Sequence, residues 1–81
     1  MQIKVKLFAA LKEMAGWSET ILDLPGQVSC SEVLLRLQNE IPDLVSILDS
    51  CFVAVNGRCA DKNVYVSAED EVAILPPVSG G

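Results

Sequence analysis

Histidine is absent from the 81 residues, which removes the side chain most often used as a general base near neutral pH and as a zinc ligand. Only three cysteines occur, Cys30, Cys51 and Cys59, an odd number with no C-x-x-C pair among them. That spacing makes a poor disulfide framework and a poor zinc site, so small buried or half-buried thiols in a reducing compartment are expected. Neither G-x-x-x-x-G-K nor G-x-G-x-x-G is present, so no phosphate-cradling loop is read. The carboxylates are dispersed through turns and a helix surface, as on a solvated face. No self-contained active site and no metal site are expected. Proline and glycine are sparse and no low-complexity run occurs, which disfavours disorder outside the ends. No apolar stretch approaches the roughly 18 residues of a membrane span, and Met1-Gln2-Ile3-Lys4 enters a strand pattern without a signal peptide's apolar core. A soluble, cytoplasmic protein that binds no membrane is expected. Basic residues are also few. Six Lys and Arg against eleven Asp and Glu leave a net charge of -5, which repels phosphate backbones and argues against nucleic-acid binding. An acidic surface suits a partner with a basic docking face, although it is equally ordinary for a cytosolic protein.

What the chain does have is apolar content, 51% of its residues, enough for one domain with a single core at this length. Ile3, Val5 and Leu7 alternate with Lys4, Lys6 and Phe8, the period of a half-buried strand. Residues 9–15 are helix formers closed by Gly16, and residues 19–24 read as a second strand ended by Pro25-Gly26. Ser29-Cys30-Ser31-Glu32 fits a capping box, and behind it Cys30, Val33, Leu34, Leu37 and Ile41 recur at helical spacing as one apolar stripe. Pro42 stops that helix. Residues 43–50 add a short helical turn, and residues 51–55 a third strand with the turn signal Asn56-Gly57 after it. A brief edge strand is read at residues 63–66. A polar turn at residues 67–70 precedes a last strand at residues 71–75, ended by Pro76-Pro77. One helix on one face of a mixed sheet is the economical two-layer solution for this order. The expected class is α+β, a β-grasp (ubiquitin-like) domain over residues 1–75 with a C-terminal tail over residues 76–81.

The tail is where chemistry remains available. Pro76 and Pro77 stiffen the departure from the sheet, Val78 and Ser79 continue it, and Gly80-Gly81 finish it without side chains, permitting close approach of another protein's backbone. A terminal carboxylate on such a thread could pass down a narrow channel into a partner's active site. Carboxylates are unreactive acyl groups, so an enzyme must first activate this one, for example by ATP-dependent adenylation. A sulfur nucleophile attacking the mixed anhydride then leaves a thiocarboxylate.

The run Asp70-Glu71-Val72-Ala73-Ile74-Leu75-Pro76-Pro77-Val78-Ser79-Gly80-Gly81 resembles the closing signature of the molybdopterin synthase small-subunit family. Phe8-Ala9-Ala10-Leu11-Lys12-Glu13-Met14-Ala15-Gly16 and Val53-Ala54-Val55-Asn56-Gly57 are similar to two further stretches of that family, so the likeness spans essentially the whole chain. It implies a sulfur carrier with no bound cofactor, whose Gly81 is charged by an adenylating enzyme that uses ATP and is related to ubiquitin activators. A persulfide donor then supplies the sulfur. The large synthase subunit accepts the tail and builds the dithiolene of molybdopterin from cyclic pyranopterin monophosphate, in an assembly of two small subunits on a dimer of large ones. The chain carries Leu75 where the family often has an aromatic residue, which bears on packing against the partner. Other carriers of the fold remain open: a thiamin-thiazole or tRNA-thiolation sulfur carrier, or a ubiquitin-like protein modifier. A plant-type ferredoxin needs C-x₄-C-x₂-C spacing, which these cysteines do not supply. Side chains alternate along a strand, so Phe8, Phe52 and Leu75 are expected to point away from the helix at one edge and to dock the large subunit.

Overall fold

The computed structural model describes residues 1–77. The opening alternation becomes strand β1, Gln2–Leu7, with Ile3, Val5 and Leu7 buried. Helix α1, Ala10–Ala15, closes at Gly16, whose φ of 83° is left-handed and whose N–H donates to the Lys12 carbonyl. Glycine takes that angle without a Cβ clash, and the bond satisfies a carbonyl the helix end would leave free. Strand β2, Glu19–Asp23, returns antiparallel to β1, pairing Ile3 with Leu22 and Val5 with Thr20.

The two-residue strand β3, Val28–Ser29, runs into the main helix α2, Cys30–Glu40. The Ser29 hydroxyl accepts the Glu32 N–H at 3.3 Å, which is one half of the expected capping box. Among the described residues the return bond from the Glu32 carboxylate is not made; Ser29 instead belongs to a strand and pairs with Tyr65. Ile41 leaves the helical region at φ -131°, ψ 81°, ahead of Pro42, as steric conflict with the proline ring requires. A 3₁₀ turn, Pro42–Leu44, and the short helix α3, Val45–Leu48, carry the chain to strand β4, Phe52–Val55. Asn56 and Gly57 both take positive φ, 52° and 83°, the geometry of a tight hairpin turn, and β5, Arg58–Ala60, folds back on β4. Strand β6 is Tyr65–Val66 and strand β7 is Glu71–Leu75.

The main sheet has the order β2-β1-β7-β4-β5. Its last strand lies in the middle, parallel to β1 and antiparallel to β4. Cys30, Val33, Leu34 and Leu37 of α2 join Ile3, Val5, Leu7, Val53, Val72 and Ile74 of the sheet in one core, completed by Leu44 and Leu48. Ile41, expected to face that core, packs against it half-buried, as does Val55. The edge strand needs correcting. The main sheet ends in β2 on one side and in β5 on the other, whereas Tyr65 and Val66, inside the stretch read as an edge, pair with Val28 and Ser29 in a separate two-stranded ladder. Arg58-Cys59-Ala60 shows no apolar alternation, so only its turn was readable. The run 63–66 has the right residues for a strand but meets a partner too short to carry a period.

Candidate docking face at the end of the sheet

The parallel ladder sets Leu7 beside Ile74, so the next residues, Phe8 and Leu75, stand side by side where both strands end. The antiparallel ladder sets Phe52 directly opposite Leu75. Alternation turns all three away from the helix, and they are 43%, 57% and 36% exposed, respectively. These fractions decide against burial under a loop: Trp17, a candidate cover, is half-buried against the core and leaves the trio open. The three residues predicted from alternation are thus brought together. Behind them Ala54 pairs with Ala73, giving a flat floor of methyl groups one row back. An exposed apolar surface of this kind on a small domain is the usual mark of a protein partner.

Beside the alanine row, where Lys6 is in register with Ala73, and beyond it, the same face becomes ionic. Lys6 Nζ lies 2.9 Å from the Glu71 carboxylate and 3.9 Å from that of Glu19, which is also 3.9 Å from Lys4 Nζ. The hydrogen bond and charge of Lys6 hold the Glu71 carboxyl below its usual range, and the same contact raises the Lys6 ammonium. The pairing joins two strands distant in sequence, and the alternating lysines of β1 are the only sign of it in the chain.

Pro76 is half-buried and Pro77 exposed past the end of β7, so the chain leaves the sheet at the apolar trio. Val78, Ser79, Gly80 and Gly81, the other residues expected to act, lie outside the described residues. Elsewhere among the described residues no catalytic set assembles. No group of three or more His, Cys, Asp or Glu suited to a metal occurs among the described residues. Cys30 and Cys51 are buried and Cys59 exposed. Burial pushes the thiols of Cys30 and Cys51 up, disfavouring the thiolate that sulfur chemistry needs. Among the described residues, no helix is long and apolar enough to cross a membrane.

A last strand, β7, threaded between β1 and β4, with one main helix on a single face of the sheet, defines a ubiquitin-like β-grasp domain. The chain belongs to the ThiS family, whose sequence profile matches residues 5–81. It is similar to the molybdopterin synthase sulfur carrier subunit of Dictyostelium discoideum, 40% identical over 83 residues, covering 99% of this chain and 96% of that protein. Among solved structures, SAMP1 from Haloferax volcanii matches with a TM-score of 0.87 at 32% identity over the whole of both chains. A chain from the complex of subunits 1 and 2 of the molybdopterin-converting factor of Helicobacter pylori matches with a TM-score of 0.70 at 26% identity, again over the whole of both. The expected fold and family are borne out.

Proposed function

We propose that this protein is the sulfur carrier subunit of molybdopterin synthase, acting in the cytoplasm and contributing no active site of its own. The observation that carries this reading is the exposed trio Phe8, Phe52 and Leu75 at the point where the chain leaves the sheet towards Gly80-Gly81. A partner seated on that trio is positioned to take the tail, and membership of the family supplies the chemistry. The Gly81 carboxylate attacks the α-phosphorus of ATP on an adenylating enzyme, forming the acyl adenylate and releasing pyrophosphate. A persulfide donor's sulfur then displaces AMP, and reductive cleavage of the resulting acyl disulfide by a thiol leaves the thiocarboxylate. The large subunit accepts residues 76–81, the path formed by Pro76, Pro77, Val78, Ser79 and Gly80, and transfers the sulfur to cyclic pyranopterin monophosphate. Two small subunits on a dimer of large subunits make the working assembly.

Deleting Gly81 tests this. Chemical denaturation is expected to be unchanged, because no core residue is touched, while molybdopterin formation with the large subunit is lost. Substantial residual transfer would sink the carrier reading. Intact mass of the protein from its native cell should show a fraction heavier by the difference between sulfur and oxygen.

A second reading has its own support, since the Haloferax volcanii neighbour is a small archaeal modifier protein. A modifier uses the same adenylate but passes the acyl group to a lysine amine. Adducts joining Gly81 to other proteins through an amide, with no thiocarboxylate fraction, would favour it.

A further inference from the structure

On the far side of Phe8 from Leu75, the end of β1 and the start of α1 enclose an open groove of about 410 Å³ lined by Lys6, Leu7, Phe8, Ala9, Lys12, Ser18 and Glu19. Phe8 therefore belongs to two surfaces, the apolar trio and one wall of this groove. Ala9 bends the chain there at φ 52°, ψ -128°, a backbone shape costly for any residue with a Cβ and one that collects at binding sites.

The charges in the groove are unevenly spent. Lys6 is held by Glu71 and Glu19, and Glu19 is shared with Lys4. Lys12 is exposed and makes no ion pair among the described residues. On a chain of net charge -5, the groove thus presents an uncompensated cation directly beside the proposed docking trio. An anionic group is the complement of that surface, and the shared Phe8 makes it continuous with the trio.

We infer that this groove receives an acidic side chain from an extended segment of the large subunit, so that the docking face wraps around Phe8 and ends on Lys12. The inference rests on the sulfur-carrier reading for the identity of the partner. Phe8 supplies apolar contact on both sides, and Lys12 fixes the approach by charge. A basic partner surface matched to this acidic chain would then carry one acidic segment, set against the groove, and the pattern would fix the orientation of docking.

Titration calorimetry and stopped-flow association with the purified large subunit test the groove apart from the trio. Lys12→Glu is expected to weaken binding about tenfold at low ionic strength, mostly by slowing association, with the deficit shrinking at high salt, as for a charge at an interface rim. Lys12→Arg should bind as the parent does. Circular dichroism checks that each variant is folded, and Lys12 is a surface residue whose replacement leaves the core intact. If Lys12→Glu keeps the parent affinity and salt dependence while Phe52→Asp loses binding, the groove is overturned and the docking trio stands. If neither change moves affinity, both fail. Self-association of the parent chain that Lys12→Glu abolishes would make a second copy the occupant and overturn the inference.

Discussion

The two faces of the five-stranded sheet draw on the same strands for different purposes. Toward α2, Ile3, Val5, Leu7, Val53, Val72 and Ile74 are 3% exposed or less. Away from it, Lys4, Lys6, Phe8, Phe52, Ala73 and Leu75 are all partly or largely exposed. Because successive side chains point to opposite faces, each strand devotes one set of residues to the core and leaves the alternate set on the open face, where the proposed docking residues lie. Changes on the two faces are therefore expected to separate. Core substitutions lower stability without altering what the folded molecule binds, and open-face substitutions do the reverse.

The sharpest test of the closed face is Leu37→Ala. Leu37 is fully buried on α2 within the common core, and removing its branched side chain leaves a cavity costing about 3 kcal/mol. That is a large share of the roughly 5–15 kcal/mol that holds a domain folded. Urea denaturation should show the loss, with partner affinity of the folded fraction unchanged. A cost below about 1 kcal/mol, outside the range for such truncations, would mean that α2 does not anchor the core.

On the open face, Phe52→Asp or Leu75→Asp is expected to cut affinity for the large subunit by at least about tenfold, since an apolar contact is replaced by a desolvated charge. Stability should move by about 1 kcal/mol or less, as for surface substitutions. Titration calorimetry and circular dichroism measure the two effects. Unchanged affinity in both variants would remove this face from the interface.

The trio was legible because it needs only alternation and strand order. Once β7 is placed between β1 and β4, the even positions of β1 and the odd positions of β7 must share a face. The core was legible for the same reason, together with the 3.6-residue stripe of α2. Lys12 and its groove were not, because nothing in Phe8-Ala9-Ala10-Leu11-Lys12 announces that the chain turns at Ala9 with positive φ, an angle expected of glycine. The Lys6–Glu71 pair joins residues 65 positions apart in sequence, a diagonal contact across the parallel ladder, whose register sets Glu71 beside Lys4, so the alternating lysines of β1 hint at an ion pair without saying which of them makes it. Strands β3 and β5 escaped because two or three residues are too short to show a period.

Cysteine replacements probe whether the closed face has any chemical role. Cys30→Ala and Cys51→Ala are expected to cost about 1 kcal/mol each, the loss of a small buried group; Cys51 also gives up its thiol hydrogen bond to the Ile47 carbonyl at 3.2 Å. Sulfur loading of Gly81 should be unaffected in both, because burial holds these thiols in the protonated form. Cys59→Ser, at an exposed position of β5, should change stability less still. A single replacement that stops loading in a folded protein would reveal a persulfide relay within the domain.

The smallest effect belongs to the ionic half of the open face, and its sign follows from linkage. The hydrogen bond from Lys6 holds the Glu71 carboxyl below its ordinary value. The stabilisation from that depression is present above the unfolded-state value and is lost as pH falls through the lower folded one. Lys6 is raised by the hydrogen bond to Glu71 and then by its charge. Its contribution is complete below the unfolded-state value of lysine and disappears as pH rises through the higher folded one. Between those limits the pair is ionised and its contribution is flat. Both groups are exposed to solvent, so screening keeps that contribution small. Thermal unfolding of Glu71→Gln and the parent at low salt should therefore show a small, constant gap in Tm across neutral pH. The gap should close at the acid end as the parent's Glu71 takes up its proton, and added salt should narrow it throughout. A gap that widens towards acid would mean that Lys6 does not stabilise the Glu71 carboxylate, and the open face would lose its division into a docking end and an ionic end.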